Sequence, residues 1–368
     1  MDTRVTALAR NLLDYSVSLQ PGDKLLIEGE TGCEELVRGL IAGAYARGAE
    51  PFFELSDPTL RRAQLLGATR EQLDLEMRWR LARVKEMDAR IYILAGDNLF
   101  EFADVPAEAM QAYELARKPV LDEGCRKKWV LLRFPTAAAA QGAGMSTDAF
   151  EDFCYRVSAL DYSRMDRAMD PLVELMERTD RVEIRGPGTD LSFSIKGIPV
   201  VKCAGRVNVP DGEVFTAPVK DSVNGVITYN TLSVYDGVTC EAVSLIFEQG
   251  RIVKATGTPQ EKIDAIFDTD EGARYVGEFA LSVNPYIEKP MLDILYDEKI
   301  RGSLHFTPGD AYEDMADNGN RSAVHWDLVL IQTPEWGGGE IWFDGVLVRK
   351  DGVFVLSELE GLNPENLA

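Results

Sequence analysis

Lys24-Leu25-Leu26-Ile27-Glu28, then the helix-like stretch Glu34 to Arg47, then Pro51-Phe52-Phe53-Glu54-Leu55: this run decides the fold reading. Two short apolar runs separated by a helix-length segment are the pattern of parallel strands, which need a crossover and cannot be joined by a hairpin. The alternation continues with helical periodicity from Glu71 to Val84, the strand-like Ile91 to Leu94, a helix near Ala107 to Ala116, and Trp129 to Leu132. Residues 1–178 are therefore read as an α/β domain with a mostly parallel sheet. The loop after the first strand, Glu28-Gly29-Glu30-Thr31-Gly32, is neither G-x-G-x-x-G nor a P-loop, so no dinucleotide is expected.

Near Asp180 the composition shifts to short strands punctuated by Gly, Pro, Asp and Asn, and residues 179–368 are read as a β-rich α+β domain. Helices are expected only near Pro259 to Phe267 and Pro290 to Lys299. Gly186-Pro187-Gly188 lies between the strand-like Arg181 to Ile184 and Leu191 to Ile195, which makes it a hairpin turn and not a phosphate cradle. The last strands, Ile341 to Phe343, Val346 to Arg349 and Val353 to Leu356, are joined by Asp344-Gly345 and Asp351-Gly352, both strong two-residue hairpin signals.

The 368 residues are 45% apolar and 27% charged, the balance of a globular protein with room for two cores. Lys and Arg number 39 against 61 Asp and Glu, a net charge of −22 that repels phosphate backbones and anionic lipid. Nucleic acid and membrane partners are not expected. Five scattered cysteines without a C-x-x-C suggest reduced thiols, neither a disulfide framework nor a zinc ribbon. No signal peptide or long apolar span is read, so a cytoplasmic location is expected.

Only two histidines occur, His305 and His325, 20 positions apart in the strand-rich half. Val324 to Leu330 is apolar and β-prone, and on a strand His325 and Asp327 point to one face, roughly 7 Å apart, with Trp326 opposite. A neutral imidazole and a carboxylate so placed can bind a metal. His305 lies in the strand-like Ser303 to Phe306, Glu213 opens the apolar run Val214 to Ala217, and Glu278 sits between Val276-Gly277 and Phe279-Ala280-Leu281. A carboxylate in that setting needs a partner, and a cation would serve.

In order, Glu213, Glu278, His305, Tyr312, His325 and Asp327 form a series that resembles the aminopeptidase T and aminopeptidase S family of two-metal exopeptidases. The matching stretches are Asn208 to Pro218, Gly277 to Leu281, Leu295-Tyr296-Asp297-Glu298, and Asn320 to Asp327. Similarity also runs through Pro21-Gly22-Asp23, Ala44 to Ala49 and Phe134-Pro135-Thr136, so it spans nearly the whole chain. The resemblance implies a metal-dependent aminopeptidase acting on short peptides, two divalent metal ions (zinc, cobalt, manganese or magnesium), those six residues as the metal site, and a homodimer. The segment between Tyr312 and His325 is shorter than the family's usual one and that between Glu278 and His305 slightly compressed, which bears on loop shape and substrate preference.

Such a site suits peptide hydrolysis, because a bound metal acidifies water and polarises the carbonyl. Glu278 is either a ligand or the proton-shuttling base, and Tyr312 either a ligand or a donor to the oxyanion. Two alternatives share the fold: a mononuclear Fe(II) ring-cleaving dioxygenase, using His305, His325 and Asp327 as a facial triad, and a noncatalytic relative. Glu213 and Glu278 separate the peptidase from the oxygenase, since one iron needs neither.

Overall fold

In the computed structural model, which describes residues 2–98, 100–235 and 237–367, the chain divides into two units. One contains residues up to Ala159 together with Gly205–Pro210; the other contains Leu160–Ala204 and the residues from Asp211 onward.

The first unit is built on a five-stranded parallel sheet in the order Glu50–Ser56, Lys24–Glu30, Ala89–Leu94, Lys128–Arg133, Asn208–Val209. Leu25, Ile27, Ile91, Ile93, Val130 and Leu132 pack on one face against the helices Thr3–Asn11 and Glu34–Ala46. Leu26 faces the other layer, with Leu73, Met77 and Val84 of the helix Arg70–Lys85 and Ala116 and Val120 of the helix Ala107–Cys125. Covering both faces is what makes these strands continuous apolar runs. The last helix continues well beyond Ala116, through Pro119. A proline inside a helix removes one donor, but Val120 and Gly124 are buried beyond it and hold the chain helical.

The second unit carries two sheets. Nine strands form a mainly antiparallel sheet whose path includes Val238–Glu248, Asn224–Thr228, Thr189–Ser194, Arg181–Gly186, Glu340–Phe343 and Val346–Lys350. Its hairpins are those expected. Arg181–Gly186 turns at Pro187-Gly188 into Thr189–Ser194, and Asp344-Gly345 (φ 48° and 80°) and Asp351-Gly352 (φ 51° and 80°) have the paired positive φ of type I′ turns. The second sheet has five strands in the order Val329–Ile331, Ser303–Pro308, Val276–Ser282, Glu213–Thr216, Val201–Cys203, all antiparallel. Phe279 and Phe306 on its inner face meet Phe193 of the larger sheet, with ring centroids 5.0 Å from each, and Phe247 lies 5.9 Å from Phe306.

Two expected elements are different. The helix expected over Pro290 to Lys299 is a single turn, Ile294–Asp297. Leu292 takes a positive φ of 57°, which no helix continues through, and the Asp293 carboxylate caps the turn from the Leu295 N–H. Val324 to Leu330 is not one strand either: only Val329–Ile331 joins the ladder, and His325 forms an isolated bridge to Gly309. The backbone between is still extended, with Trp326 N–H donating to the Pro308 carbonyl (3.1 Å) and Phe306 N–H to that of Leu328 (3.1 Å). No helix among the described residues is long and apolar enough to cross a membrane.

Phe306 is wholly buried among these rings. Phe306→Ala is expected to cost about 3–5 kcal/mol of stability in denaturant unfolding; a loss under about 1 kcal/mol would show that the aromatic cluster is not the joint between the sheets.

Candidate metal centre

The outer face of the five-stranded sheet gathers the polar residues. Glu213 opens one strand and pairs with Ser282; Ala280 of the next strand faces both Phe215 and His305; Glu278 faces Thr307. Side chains two apart on a strand share a face, so Glu213, Glu278, His305 and Thr307 point the same way, and Phe215, Ala280 and Ser282 share that face with them. The ladder has a bulge between Val276 and Glu278, and bulges re-aim the residue that follows. The extra residue, Gly277, lies where a Cβ would collide with the Asp310 carbonyl. His325 and Asp327 come from the extended segment beyond that loop, and Trp326 between them is buried on the opposite side.

Five of the six residues singled out from sequence lie in one cluster, with Tyr312 at its edge. Nε2 of His305 is 3.3 Å from Oε1 of Glu278 and 3.4 Å from Oε2 of Glu213. Nε2 of His325 is 3.4 Å from Oε2 of Glu278 and 3.2 Å from Oδ1 of Asp327. These are long for N–H···O hydrogen bonds, whose usual length is about 2.9 Å. They match the edge of a coordination tetrahedron: ligand atoms about 2.0–2.1 Å from an ion lie about 3.3–3.4 Å apart. Oε2 of Glu213 and Oε2 of Glu278 are buried without a hydrogen bond, a state that is costly for a carboxylate unless a cation is its partner. The donor set therefore fits a divalent metal. Its candidate triads are Glu213–Glu278–His305, Glu278–His325–Asp327 and Glu298–His305–Asp327. Glu278 belongs to two of them and turns one oxygen to each imidazole.

Neighbouring groups orient these donors. The Asp310 carbonyl is 3.0 Å from Nδ1 of His325; a proton held there leaves Nε2 free to face the cluster. The Thr307 hydroxyl donates to Oδ1 of Asp327 (2.7 Å). Tyr312, 43% exposed, stacks its ring 5.5 Å from Phe215 and 5.1 Å from the His325 ring, with its hydroxyl 3.4 Å from Nε2. Glu298 was not among the site residues expected from sequence, although it closes the matching stretch Leu295-Tyr296-Asp297-Glu298. Nor was Lys299, whose ammonium is 2.5 Å from Glu213 and 2.7 Å from Glu298.

Burial by itself would lower the imidazole pKa values, but the surrounding carboxylates outweigh it. His305, facing Glu213 and Glu278, is pushed up to about 9, and His325, facing Asp327 and Glu278, well above its ordinary value. Burial raises Glu298 to about 8.

The profile of the thermophilic metalloprotease (M29) family matches residues 1–337, and the chain belongs to that family. It is a metalloprotease in class, a kind of protein whose chemistry depends on a divalent metal. It is similar to aminopeptidase T of Thermus thermophilus, at 26% identity over 92% of this chain and 93% of that protein, and to aminopeptidase PepS of Streptococcus thermophilus, at 25% over 92% and 93%. The solved structure of wild-type AmpT from Thermus thermophilus has the same fold, with a TM-score of 0.80 over 96% of this chain and 99% of that one at 24% identity.

Without metal, His305 holds a proton up to about pH 9, against an ordinary value of 6.5. A ligand imidazole is neutral, so metal binding must displace that proton. Metal affinity is expected to rise with pH between 6.5 and 9, by about tenfold per unit for each proton displaced. Calorimetry in two buffers of different ionisation enthalpy measures the proton count, and affinity independent of pH across this window would contradict it.

Proposed function

We propose that the protein is a metal-dependent aminopeptidase that releases N-terminal amino acids from short peptides by attack of a metal-activated water. The observation that carries this reading is the sharing of Glu278: its two oxygens stand 3.3 and 3.4 Å from the two Nε2 atoms, so one carboxylate serves two adjoining donor sets. Two divalent ions would be held, one by Glu213, Glu278 and His305, the other by Glu278, His325 and Asp327. The imidazoles favour zinc or cobalt over manganese and magnesium. The names of the relatives, aminopeptidases T and PepS, support the exopeptidase assignment.

When bound, the ions supply an acidified water and polarise the scissile carbonyl. The chain's own groups do the rest. Glu213, Glu278 and Asp327 would be taken up as ligands of the ions, while the chain's net charge of −22 favours the approach of a substrate's ammonium group. The Tyr312 phenol, its hydroxyl 3.4 Å from Nε2 of His325, stands where it can either join the donor set or donate a hydrogen bond to an oxyanion. Thr307 and the Asp310 carbonyl keep Asp327 and His325 in place. Glu278, with both oxygens facing imidazoles, is better placed as a ligand than as a base. The dioxygenase alternative needs two imidazoles and one carboxylate, and Glu213, Glu278, Glu298 and Asp327 are three more carboxylates than it uses. A catalytic β-rich domain over residues 179–368, a homodimer and a cytoplasmic location belong to the same proposal; light scattering tests the dimer.

Aminoacyl-p-nitroanilides with apolar, basic and acidic residues, assayed after loading with cobalt, zinc, manganese or magnesium, are expected to be hydrolysed, with activity lost to a chelator and restored by metal. No turnover with any metal would sink this assignment, and oxygen uptake with ferrous iron would promote its alternative.

The His325 side chain is 28% exposed, so His325→Ala is expected to fold. Altering groups that merely support a ligand costs about 10–100-fold, so this variant should lose about a hundredfold or more in kcat/KM and bind less metal. Full activity and full metal content in His325→Ala would remove His325 from the site.

A further inference from the structure

Beneath Glu213 lies a fourth group of ligand-type atoms, Cys203, Asp211 and Glu213. A protein cation already stands among them. The side chain of Lys299 is completely buried, with Nζ 2.5 Å from Oε1 of Glu213, 2.7 Å from Oε1 of Glu298 and 3.8 Å from Oδ1 of Asp211. A fully buried ammonium is tolerated only where carboxylates surround it. Its backbone is pinned as well: the Asn284 N–H donates to the Lys299 carbonyl (3.3 Å), the Ser282 hydroxyl to that of Glu298 (2.5 Å), and the Lys299 N–H to that of Tyr296 (3.0 Å).

Both carboxylates that Lys299 grips belong to metal-type triads with His305, Glu213 alongside Glu278 and Glu298 alongside Asp327. For Glu213 the division is explicit: Oε1 is bonded to Nζ, while Oε2 has no hydrogen bond and stands 3.4 Å from Nε2 of His305. A free carboxylate can chelate an ion through both oxygens, whereas one tied at one oxygen offers only the other. A peptidase site needs an unfilled coordination position for water and substrate.

We propose that Lys299 is a positioning residue of the metal centre: its buried ammonium occupies one oxygen each of Glu213 and Glu298, so that neither can chelate through both and a coordination position stays open. This rests on the metal-site reading above. Lys299 touches neither substrate nor metal and acts only through the two carboxylates. Asp211 adds charge at longer range but no grip on either ligand.

The test compares the cobalt-loaded protein with Lys299→Met, which keeps the length and loses both charge and donors, and with Lys299→Met/Asp211→Asn, which restores the net charge without the donors. Cobalt's visible absorption reports its coordination number and geometry. Lys299→Met is expected to bind cobalt with an altered, weaker visible band, and to lose about 10–100-fold in kcat while KM moves by less than about threefold. The double variant should behave as the single one. A wild-type spectrum and kcat in Lys299→Met would overturn the role of Lys299, as would recovery of both in the double variant, which would reduce it to a counter-charge. Should Lys299→Met fail to fold, Lys299→Gln, shorter and unable to bridge both carboxylates, takes its place: an altered band with reduced kcat supports the role, and a wild-type spectrum and kcat overturn it. Absence of cobalt binding by the unaltered protein would overturn the metal centre itself, and this role with it; an altered spectrum confined to the variants would not.

Discussion

Charge held away from water governs this molecule. Glu213, Glu278 and His305 are each less than a tenth exposed, and they stand together on one sheet face. Desolvated carboxylates at such spacing repel one another, so the face is stable only when cations lie between them. Imidazolium protons do this in part, Lys299 does it at one side, and a divalent metal does it best. The surroundings answer the same demand. Ala280 and Ser282 leave space where larger side chains would separate the donors, and the Thr307 hydroxyl and Asp310 carbonyl satisfy the outward-facing atoms. On the reverse of the sheet, Phe279 and Phe306 are locked into an aromatic core that gives the polar face a rigid floor.

The first unit was legible because its physics is local. A parallel sheet covered on both faces leaves continuous apolar runs, and helices between them leave a 3.6-residue period. The Asp-Gly hairpins were equally plain, since few dipeptides accept two consecutive positive φ values. Where the structure differs, a competing local term had prevailed. The helix expected near Ala107 to Ala116 runs on through Pro119 to Cys125, because buried residues beyond the proline hold it. Leu292, with its left-handed backbone, cut down a helix that composition alone favoured.

The site was legible to a different degree. That His325 and Asp327 share a face follows from extended backbone alone, so it survives although the segment forms no regular ladder. Glu298 and Lys299 were hidden for a geometric reason: Lys299 meets Glu213 across 86 positions of sequence, and nothing in its neighbours marks a buried ammonium. Lysines are ordinarily surface residues. Only the fold, which brings the end of a one-turn helix under the opening of a distant strand, gives this one its meaning.

Gly277 links features that otherwise look separate. Its bare α-carbon allows the bulge that aims Glu278, and also lets the Asp310 carbonyl come close, the same carbonyl that receives the His325 Nδ1 proton. The Glu278 strand and the His325 segment thus meet at one point, the Asp310 carbonyl, and any side chain at position 277 would disturb both. A residue with no chemistry of its own sets the tolerance to which the chemistry is assembled.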